Sequence, residues 1–219
     1  MENHTRHYVA ALYDPDELIS LVGLEGGRQF GKQSIGFYRN REAFFRDVAR
    51  LTGKLNLYTN LNRVNPDLYG RAADRFKPYS VTRFTDAEVI WRPRLCVDLD
   101  PVRLSGINST DAELQAALEL GAEVRDYLAA QFGVEPLAVH SGNGVQLVCK
   151  IDEPVDSPLA AQLLKHLDAK FSNPHCKVDT TLSDAARIVR LPGTLNMKGD
   201  DIPERPRRYA QILESRSAA

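Results

Sequence analysis

The sequence has few cysteines and no long apolar run. Only three of its 219 residues are cysteines, Cys96, Cys149 and Cys176, and none belongs to a C-x-x-C pair. Widely spaced thiols in or beside apolar runs indicate small buried side chains in a reducing compartment. No stretch approaches the apolar length of a membrane span, and the N-terminus lacks the basic and then apolar pattern of a signal peptide. We therefore expect a cytoplasmic protein.

The sequence also lacks a strong net charge. Its formal charge is −1, whereas a protein that coats nucleic acid is usually basic overall. Any contact with nucleic acid must therefore come from local basic patches. Internal repeats and low-complexity linkers are absent as well, and 219 residues suit one large α/β domain or two closely packed modules.

The first part of the chain alternates strand and helix patterns. HYVAALY predicts a strand over residues 7–13, and the segment from Asp14 to the paired glycines Gly26 and Gly27 predicts a short helix. The other elements predicted here are a strand at 33–38, a helix that begins after Asn40 and ends at Gly53, and a strand at 55–62.

Patterns are clearer from the middle of the chain onward. Pro93 interrupts a β-rich run over 86–100, so the strand is expected to begin near Arg94. A helix should open at Thr110, with Glu113 in capping-box range, and end near Phe132. The remaining predictions are two strands around a Gly-Asn-Gly turn in 136–152, a helix at 157–172, two short strands around a helical turn after 177, and a final strand within 207–213.

From Arg94 onward the predicted order is therefore β, α, β-hairpin, α, β. This order is close to a split β-α-β arrangement with a mainly antiparallel sheet and helices on one face. The fold class expected is α/β of the α+β kind.

Two like charges interrupt an apolar strand in RLCVDLDPVR. Because residues i and i+2 of a strand point the same way, the carboxylates of Asp98 and Asp100 converge. Two carboxylates so close repel each other unless a cation lies between them. The alternative is that Asp98 ends the strand and Asp100 starts the turn at Pro101. The pair alone favours neither interpretation.

A third carboxylate would complete a cation site. Metal-dependent phosphoryl-transfer enzymes bind two divalent ions, and hard cations such as Mg²⁺ prefer carboxylate oxygens. Asp179, in KVDTTLS, is the best candidate for the third ligand because it follows a short strand and precedes two threonines.

The segment HSGNGVQLV places Ser141, Gly142, Asn143 and Gly144 between two apolar strands. Glycines let a backbone approach an anion and turn its N–H groups towards it. A plain hairpin turn explains the same residues, since Asn-Gly is the commonest hairpin pair. Taken alone, this motif favours the hairpin.

Basic residues crowd into a short span downstream. Arg187 and Arg190 lie in an apolar run shortly after Asp179, where guanidinium groups suit a triphosphate, and the LPGTLN turn can aim Lys198 at the same place. The alternative is a solvated basic face. The full basic set comprises Arg187, Arg190, Lys198, Arg205, Arg207 and Arg208.

Together these segments resemble the archaeo-eukaryotic primase superfamily, specifically primase-polymerase domains of bacterial mobile elements, plasmids and phages. The matching stretches, in order, are YTNLNRVNPDLYGRAADRF, VDLDPVRLSGINST, HSGNGVQLVCKID and VDTTLSDAARIVRLPGTLNMKGDDIPERPRR. The resemblance implies an N-terminal α/β module (1–85) packed on an RRM-like catalytic module (86–219). It also implies DNA-templated nucleotidyl transfer with two Mg²⁺ or Mn²⁺ ions and no organic cofactor.

The resemblance also implies roles for individual residues. Asp98, Asp100 and Asp179 would be the catalytic metal ligands, and the Ser141–Gly144 segment the nucleotide-binding turn. Arg190 and Lys198, with Arg187 nearby, would neutralise the triphosphate. The implied partners are single-stranded or primed DNA, nucleoside triphosphates and a fused or associated helicase.

One position departs from the pattern of such families. Two residues after the last glycine of the turn, where histidine is common, this sequence has Gln146, which donates a hydrogen bond but carries no charge. His140 is a candidate substitute, and packing at a strand end is its alternative role.

Three functions remain open at this level. The first is a primase-polymerase, and the second is a catalytically weakened nucleotide- and DNA-binding module of a replication-initiator or defence complex. The third is a metal-dependent nuclease, which uses similar carboxylates.

Overall fold

The computed structural model describes residues 2–25 and 33–213, so the predicted helix end at Gly26 and Gly27 lies outside the described residues. The helices are α1 Glu2–Leu12, α2 Arg41–Leu51, α3 Asp111–Phe132 and α4 Leu159–Phe171. The strands are β1 Ile19–Leu24, β2 Gln33–Tyr38, β3 Asn56–Asn60, β4 Arg63–Val64, β5 Lys77–Val81, β6 Val89–Pro101, β7 Leu137–His140, β8 Val145–Glu153, β9 Cys176–Val178, β10 Ile188–Arg190 and β11 Gln211–Ile212.

The first two predicted elements are wrong. Residues 7–13 lie mostly in α1, because Thr5, Tyr8, Val9 and Leu12 have helical spacing and are buried together. The predicted helix after Asp14 is a turn followed by β1. That strand lies between β3 and β2 with both faces covered, so it has a continuous apolar run instead of an alternating one.

The strand that carries the aspartates begins earlier than predicted. β6 starts at Val89 and continues through Pro93. The pairing of β6 with β8 shifts register between Arg92 and Arg94. The missing N–H of the proline is tolerated because it falls at this irregularity.

The later elements follow the prediction closely. Thr110 and Glu113 form the capping box of α3, and Gly133 ends that helix in the left-handed conformation with φ 63°. The hairpin β7–β8, helix α4 and the short strands β9 and β10 also lie where the sequence places them.

The strands form two sheets. The first sheet has the order β10-β3-β1-β2-β5, and the second has the order β11-β7-β8-β6-β4, with β9 also paired to β6. The ladders between these strands are antiparallel. The chain is therefore an α+β protein, as predicted.

Each sheet takes a strand from the other half of the chain. β10 joins the first sheet through β3, and β4 joins the second sheet through β6. The predicted division at 85/86 stays a prediction. β10 belongs to the first sheet and contacts the second, because the Arg190 N–H donates to Gln146 of β8.

Apolar side chains of both sheets share one core. Leu57 and Val189 of the first sheet pack in the same cluster as Leu95, Val97 and Leu99 of β6. Within the described residues, no helix is long and apolar enough to cross a membrane.

Candidate active site

Two paired strands, β6 and β9, bring the predicted aspartates to one place. Asp98 and Asp100 share a face of β6, since they are two residues apart in one strand. Lys177 of β9 pairs directly with Asp100, and the backbone N–H of Asp179 donates to the carbonyl of Asp98 at 2.9 Å. The long-range placement of Asp179 beside the pair agrees with the sequence prediction.

The carboxyl group of Asp98 is the most unusual of the three. Its Oδ1 is buried and has no hydrogen-bond partner among the described residues. Burial first, and then the charges of Asp100 and Asp179, raise the pKa of Asp98 well above its usual range. Lys198 and the side-chain amide of Gln146 act in the opposite direction. A cation between the carboxylates would relieve the repulsion.

The residues fit a hard divalent cation in kind, although they do not form a ready-made cage. An orphaned, buried carboxylate oxygen beside two more carboxylates is the donor chemistry that Mg²⁺ or Mn²⁺ prefers. Yet Asp179 turns its Oδ1 to the N–H and hydroxyl of Thr181, at 2.9 and 2.7 Å. Across residues 2–25 and 33–213, no group of three His, Cys, Asp or Glu side chains is arranged to hold a metal ion.

The predicted nucleotide-binding turn is tied to its surroundings. Ser141 Oγ accepts from the Gly144 N–H at 3.1 Å, which closes the hairpin. Asn143 accepts from Ser109 N–H at 2.7 Å through Oδ1 and donates to Asn108. The side chain of Asn143 therefore holds the segment before α3, and its carbonyl also accepts from the Ser109 hydroxyl at 2.5 Å, so the backbone N–H is the group that remains for a ligand.

Backbone conformation requires a glycine at position 142 of this turn, and a close contact requires one at position 144. Gly142 has φ +96°, a conformation that favours glycine. A Cβ on Gly144 would lie 2.4 Å from the backbone oxygen of Leu99 and 2.9 Å from Oδ1 of Asp100. The turn therefore lies directly against the second aspartate.

Gln146 links the acidic face to the first sheet. It pairs with Asp98 across β6 and β8, and its Oε1 accepts from the backbone N–H of Arg190 at 3.2 Å. Because an N–H donor fixes which end of the amide is oxygen, the NH₂ group is the end that hydrogen-bonds the Asp98 carboxylate. Both ends of the Gln146 side chain therefore have partners in the protein.

Arg190 is a buried cation whose guanidinium is not fully used. The residue is 4% exposed, its guanidinium lies 4.3 Å from the centre of the Tyr58 ring, and one NH₂ group donates to the Tyr58 hydroxyl at 2.8 Å. Nη1 is buried without a partner in the described part of the chain. A buried arginine with a free donor suits an anionic ligand.

Asn196 positions Lys198 beside the turn. Its side-chain amide donates to the Ser141 carbonyl at 3.0 Å, and its Oδ1 accepts from the Lys198 N–H at 3.0 Å. The loop that carries Lys198 is therefore held against the hairpin. The lysine is close enough to the acidic face to affect the pKa of Asp98.

The other basic residues have structural partners. Arg187 forms an ion pair with Asp184 and donates to the Thr181 carbonyl, so it holds the turn after Asp179. Arg205 and Arg208 pair with Glu113 and Asp111 at the start of α3, at 2.7 and 2.6 Å, and Arg207 donates to the Gly199 carbonyl at 2.7 Å. The basic span is mainly a set of loop anchors.

His140 packs at the end of β7. Its Nδ1 accepts from the Gly142 N–H at 3.2 Å, and burial lowers its pKa. These contacts give His140 a role in shaping the turn.

Sequence reasoning missed two basic residues near Asp100. Arg103 Nη1 lies 3.5 Å from Asp100 Oδ1, and Lys177 is the cross-strand partner of Asp100. Both were visible in the sequence, Arg103 three residues after Asp100 and Lys177 two before Asp179. The strand register places Lys177 beside Asp100, and the turn after β6 places Arg103 there.

Fold and site together define an α+β protein with an acidic centre and a buried arginine at the junction of two sheets. No protein-family profile and no curated protein matches the chain. Among solved structures, it is similar to the polymerase domain of Mycobacterium tuberculosis Ligase D in complex with DNA. The TM-score is 0.48 and the identity 17%, covering 94% of this chain and 79% of that one. These values are too low to support an assignment of function, which depends on the site itself.

Proposed function

We propose that this protein is a nucleotidyltransferase of the primase-polymerase kind, which joins nucleotides on a DNA template. The observation that carries the proposal is a pair of buried, unpartnered groups of opposite charge, Asp98 Oδ1 and Arg190 Nη1. Gln146 links the strands that carry these residues, since it pairs with Asp98 across β6 and β8 and its Oε1 accepts from the backbone N–H of Arg190. Native proteins rarely leave such groups unpaired without a functional reason.

The carboxylates would hold the cations of the reaction. Asp98, Asp100 and Asp179 are the residues that would bind Mg²⁺ or Mn²⁺. When bound, these ions offset negative charge on the reacting phosphate and lower the pKa of the attacking hydroxyl.

The chain's own cations would hold the triphosphate. Arg190 offers Nη1, and its orientation is fixed by Tyr58. Lys198 adds a second positive charge that acts on Asp98, and the Ser141–Gly144 turn brings backbone close to Asp100. In the reaction, a 3′ hydroxyl attacks the α-phosphate, a new phosphodiester bond forms, and pyrophosphate leaves.

The partners in this proposal are a single-stranded or primed DNA template and nucleoside triphosphates. Replication of a mobile element, with a fused or associated helicase, is the setting that the sequence motifs favour. The modest net charge suits transient, salt-sensitive template contact through local basic groups.

A double variant tests the proposal. The wild-type protein is incubated with labelled nucleotides, a DNA template with or without a primer, and Mg²⁺ or Mn²⁺. Asp98→Ala combined with Asp100→Ala should abolish extension of the primed template and leave the thermal melt nearly unchanged. Full retention of synthesis by the double variant would contradict the assignment.

The bonding of Gln146 favours a second candidate, a binding module that turns over slowly. Glutamine adds no charge near the triphosphate, and its oxygen is already engaged by the Arg190 backbone. Gln146→His separates the two candidates. A large gain in synthesis supports a weakened enzyme, whereas nucleotide binding without synthesis in both forms supports the binding module.

A further inference from the structure

A groove adjoins the acidic face on the side away from Arg190. Its volume is about 410 Å³, and Asp100, Lys177, Asp179 and Thr180 line it together with Asp168 and Ser172 of the α4 end. Lys177 is exposed, and no ion pair to it is present in the described residues. It is the one cation among the residues that line the groove.

The strand order separates this groove from the proposed triphosphate side. β8 and β9 pair with opposite edges of β6. The backbone N–H of Arg190 contacts Gln146 of β8, while Lys177 lies on β9 as the cross-strand partner of Asp100. Arg190 and Lys177 therefore belong to opposite edges of β6, the strand that carries Asp98 and Asp100.

A transfer reaction needs two anionic substrates on opposite sides of the reacting phosphate. One is the triphosphate, and the other is the strand whose 3′ hydroxyl attacks. We propose that the groove beside β9 binds the 3′ end of the acceptor strand and that Lys177 contacts one of its last internucleotide phosphates. This inference depends on the proposed function and assigns its second substrate.

The negative charge of the groove limits the number of DNA phosphates that it can bind. Asp100, Asp168 and Asp179 would repel a long run of phosphates, and the hydroxyl of Ser172 is already donated to Asp168 at 2.5 Å. One lysine opposite Asp100 suits a single phosphate next to the reacting end. Lys177 is thus a positioning residue for the acceptor strand.

Lys177→Ala tests this assignment, with Lys150→Ala as the matched control. Lys150 is an exposed lysine of the same sheet that lines a different cavity. Binding of a fluorescent primer–template is measured by anisotropy without nucleotide, and KM values are measured in synthesis. Lys177→Ala should weaken primer–template binding about tenfold. It should also reduce the slope of the logarithm of the binding constant against the logarithm of salt concentration by about one. The KM for nucleotide should stay unchanged, and Lys177→Arg should restore binding.

A neutral phosphate locates the contact. Uncharged methylphosphonate linkages are introduced one at a time at the last three positions of the primer. At one of these positions the linkage should weaken binding to the wild-type protein. At that position it should cause no further loss in Lys177→Ala. Three results would each overturn the inference. Lys177→Ala could bind the primer–template as tightly as wild type, Lys150→Ala could lose as much binding as Lys177→Ala, or the KM for nucleotide could rise in Lys177→Ala and not in Lys150→Ala. If wild type synthesises nothing, it is the proposed function that fails.

Discussion

At the scale of single residues, the site depends on the orientation of Gln146. Its oxygen accepts from the Arg190 backbone and its NH₂ group faces Asp98, so one neutral side chain separates a backbone donor from a buried acid. A carboxylate in its place would keep the acceptor and lose the donor. It would also add a fourth carboxylate to Asp98, Asp100 and Asp179.

Gln146→Glu should therefore reduce nucleotide incorporation strongly and lower the thermal stability at neutral pH in the presence of a chelator. The introduced carboxylate and that of Asp98 would lie on directly paired residues of β8 and β6, and like charges so close in a buried site repel strongly. Melting curves and single-nucleotide incorporation, compared with Gln146→Asn, measure both effects. Equal stability of the glutamate variant and wild type would show that Gln146 does not face Asp98.

The sequence could predict the chemistry of the site better than its contacts. Asp98, Asp100 and Asp179 were identified from residue type and spacing, and the strand register brings them together as expected. Lys177 and Arg103 were missed because their proximity to Asp100 depends on register and turn geometry. Asn143 was assigned to nucleotide binding, yet its side chain is engaged by Ser109.

At the scale of elements, one loop is held by ion pairs at the start of α3. Arg205 binds Glu113, which also completes the capping box of that helix. The Arg205 hydrogen bond is the leading cause of the lowered pKa of Glu113. Because this pKa is lower in the folded state, the stabilisation is present above the unfolded value near 4.5. It is lost as the pH falls through the folded value.

Glu113→Gln should therefore lower stability by at most about 1 kcal/mol near neutral pH, since the pair is partly exposed. The difference from wild type should shrink below about pH 4.5. Thermal melts from pH 3.5 to 7.5 measure this difference. Glu119→Gln is the control, because Glu119 is exposed on the same helix and bonded only to Gln115 in the described residues. A difference that stays constant with pH would contradict the account.

Element prediction succeeded where local signals were strong. The caps of α3 and the Gly-Asn-Gly hairpin carry their own boundary signals. A strand was predicted where α1 lies and a helix where β1 lies. HYVAALY fits the apolar spacing of both a helix and a strand, and a strand that is buried on both faces does not alternate apolar and polar residues. Which strand joins which sheet, as for β10, depends on long-range packing and could not be read from the sequence.

At the scale of the whole molecule, a buried ion pair joins the two sheets. Arg94 of β6 binds Glu17 before β1, and both side chains are at most 2% exposed. The same guanidinium donates to the carbonyls of Leu12 and Leu61. This contact fixes β6, and with it the aspartates, relative to the first sheet that carries Arg190.

Glu17→Gln should destabilise the protein by about 3 to 5 kcal/mol, because it leaves a buried guanidinium without its counter-charge. Chemical denaturation measures the loss. Glu42→Gln, which breaks the exposed pair with Arg6, should change little. Equal effects of the two substitutions would show that the buried pair does not hold the sheets together.

The central claim is that the acidic face and Arg190 form one template-directed transfer site. The most direct test is incorporation of a single labelled nucleotide on four primed templates that differ only in the next base, with wild type and Asp98→Asn. The account predicts that wild type adds the complementary nucleotide on each template and that Asp98→Asn adds none. Incorporation that ignores the template base, or that survives in Asp98→Asn, would contradict it.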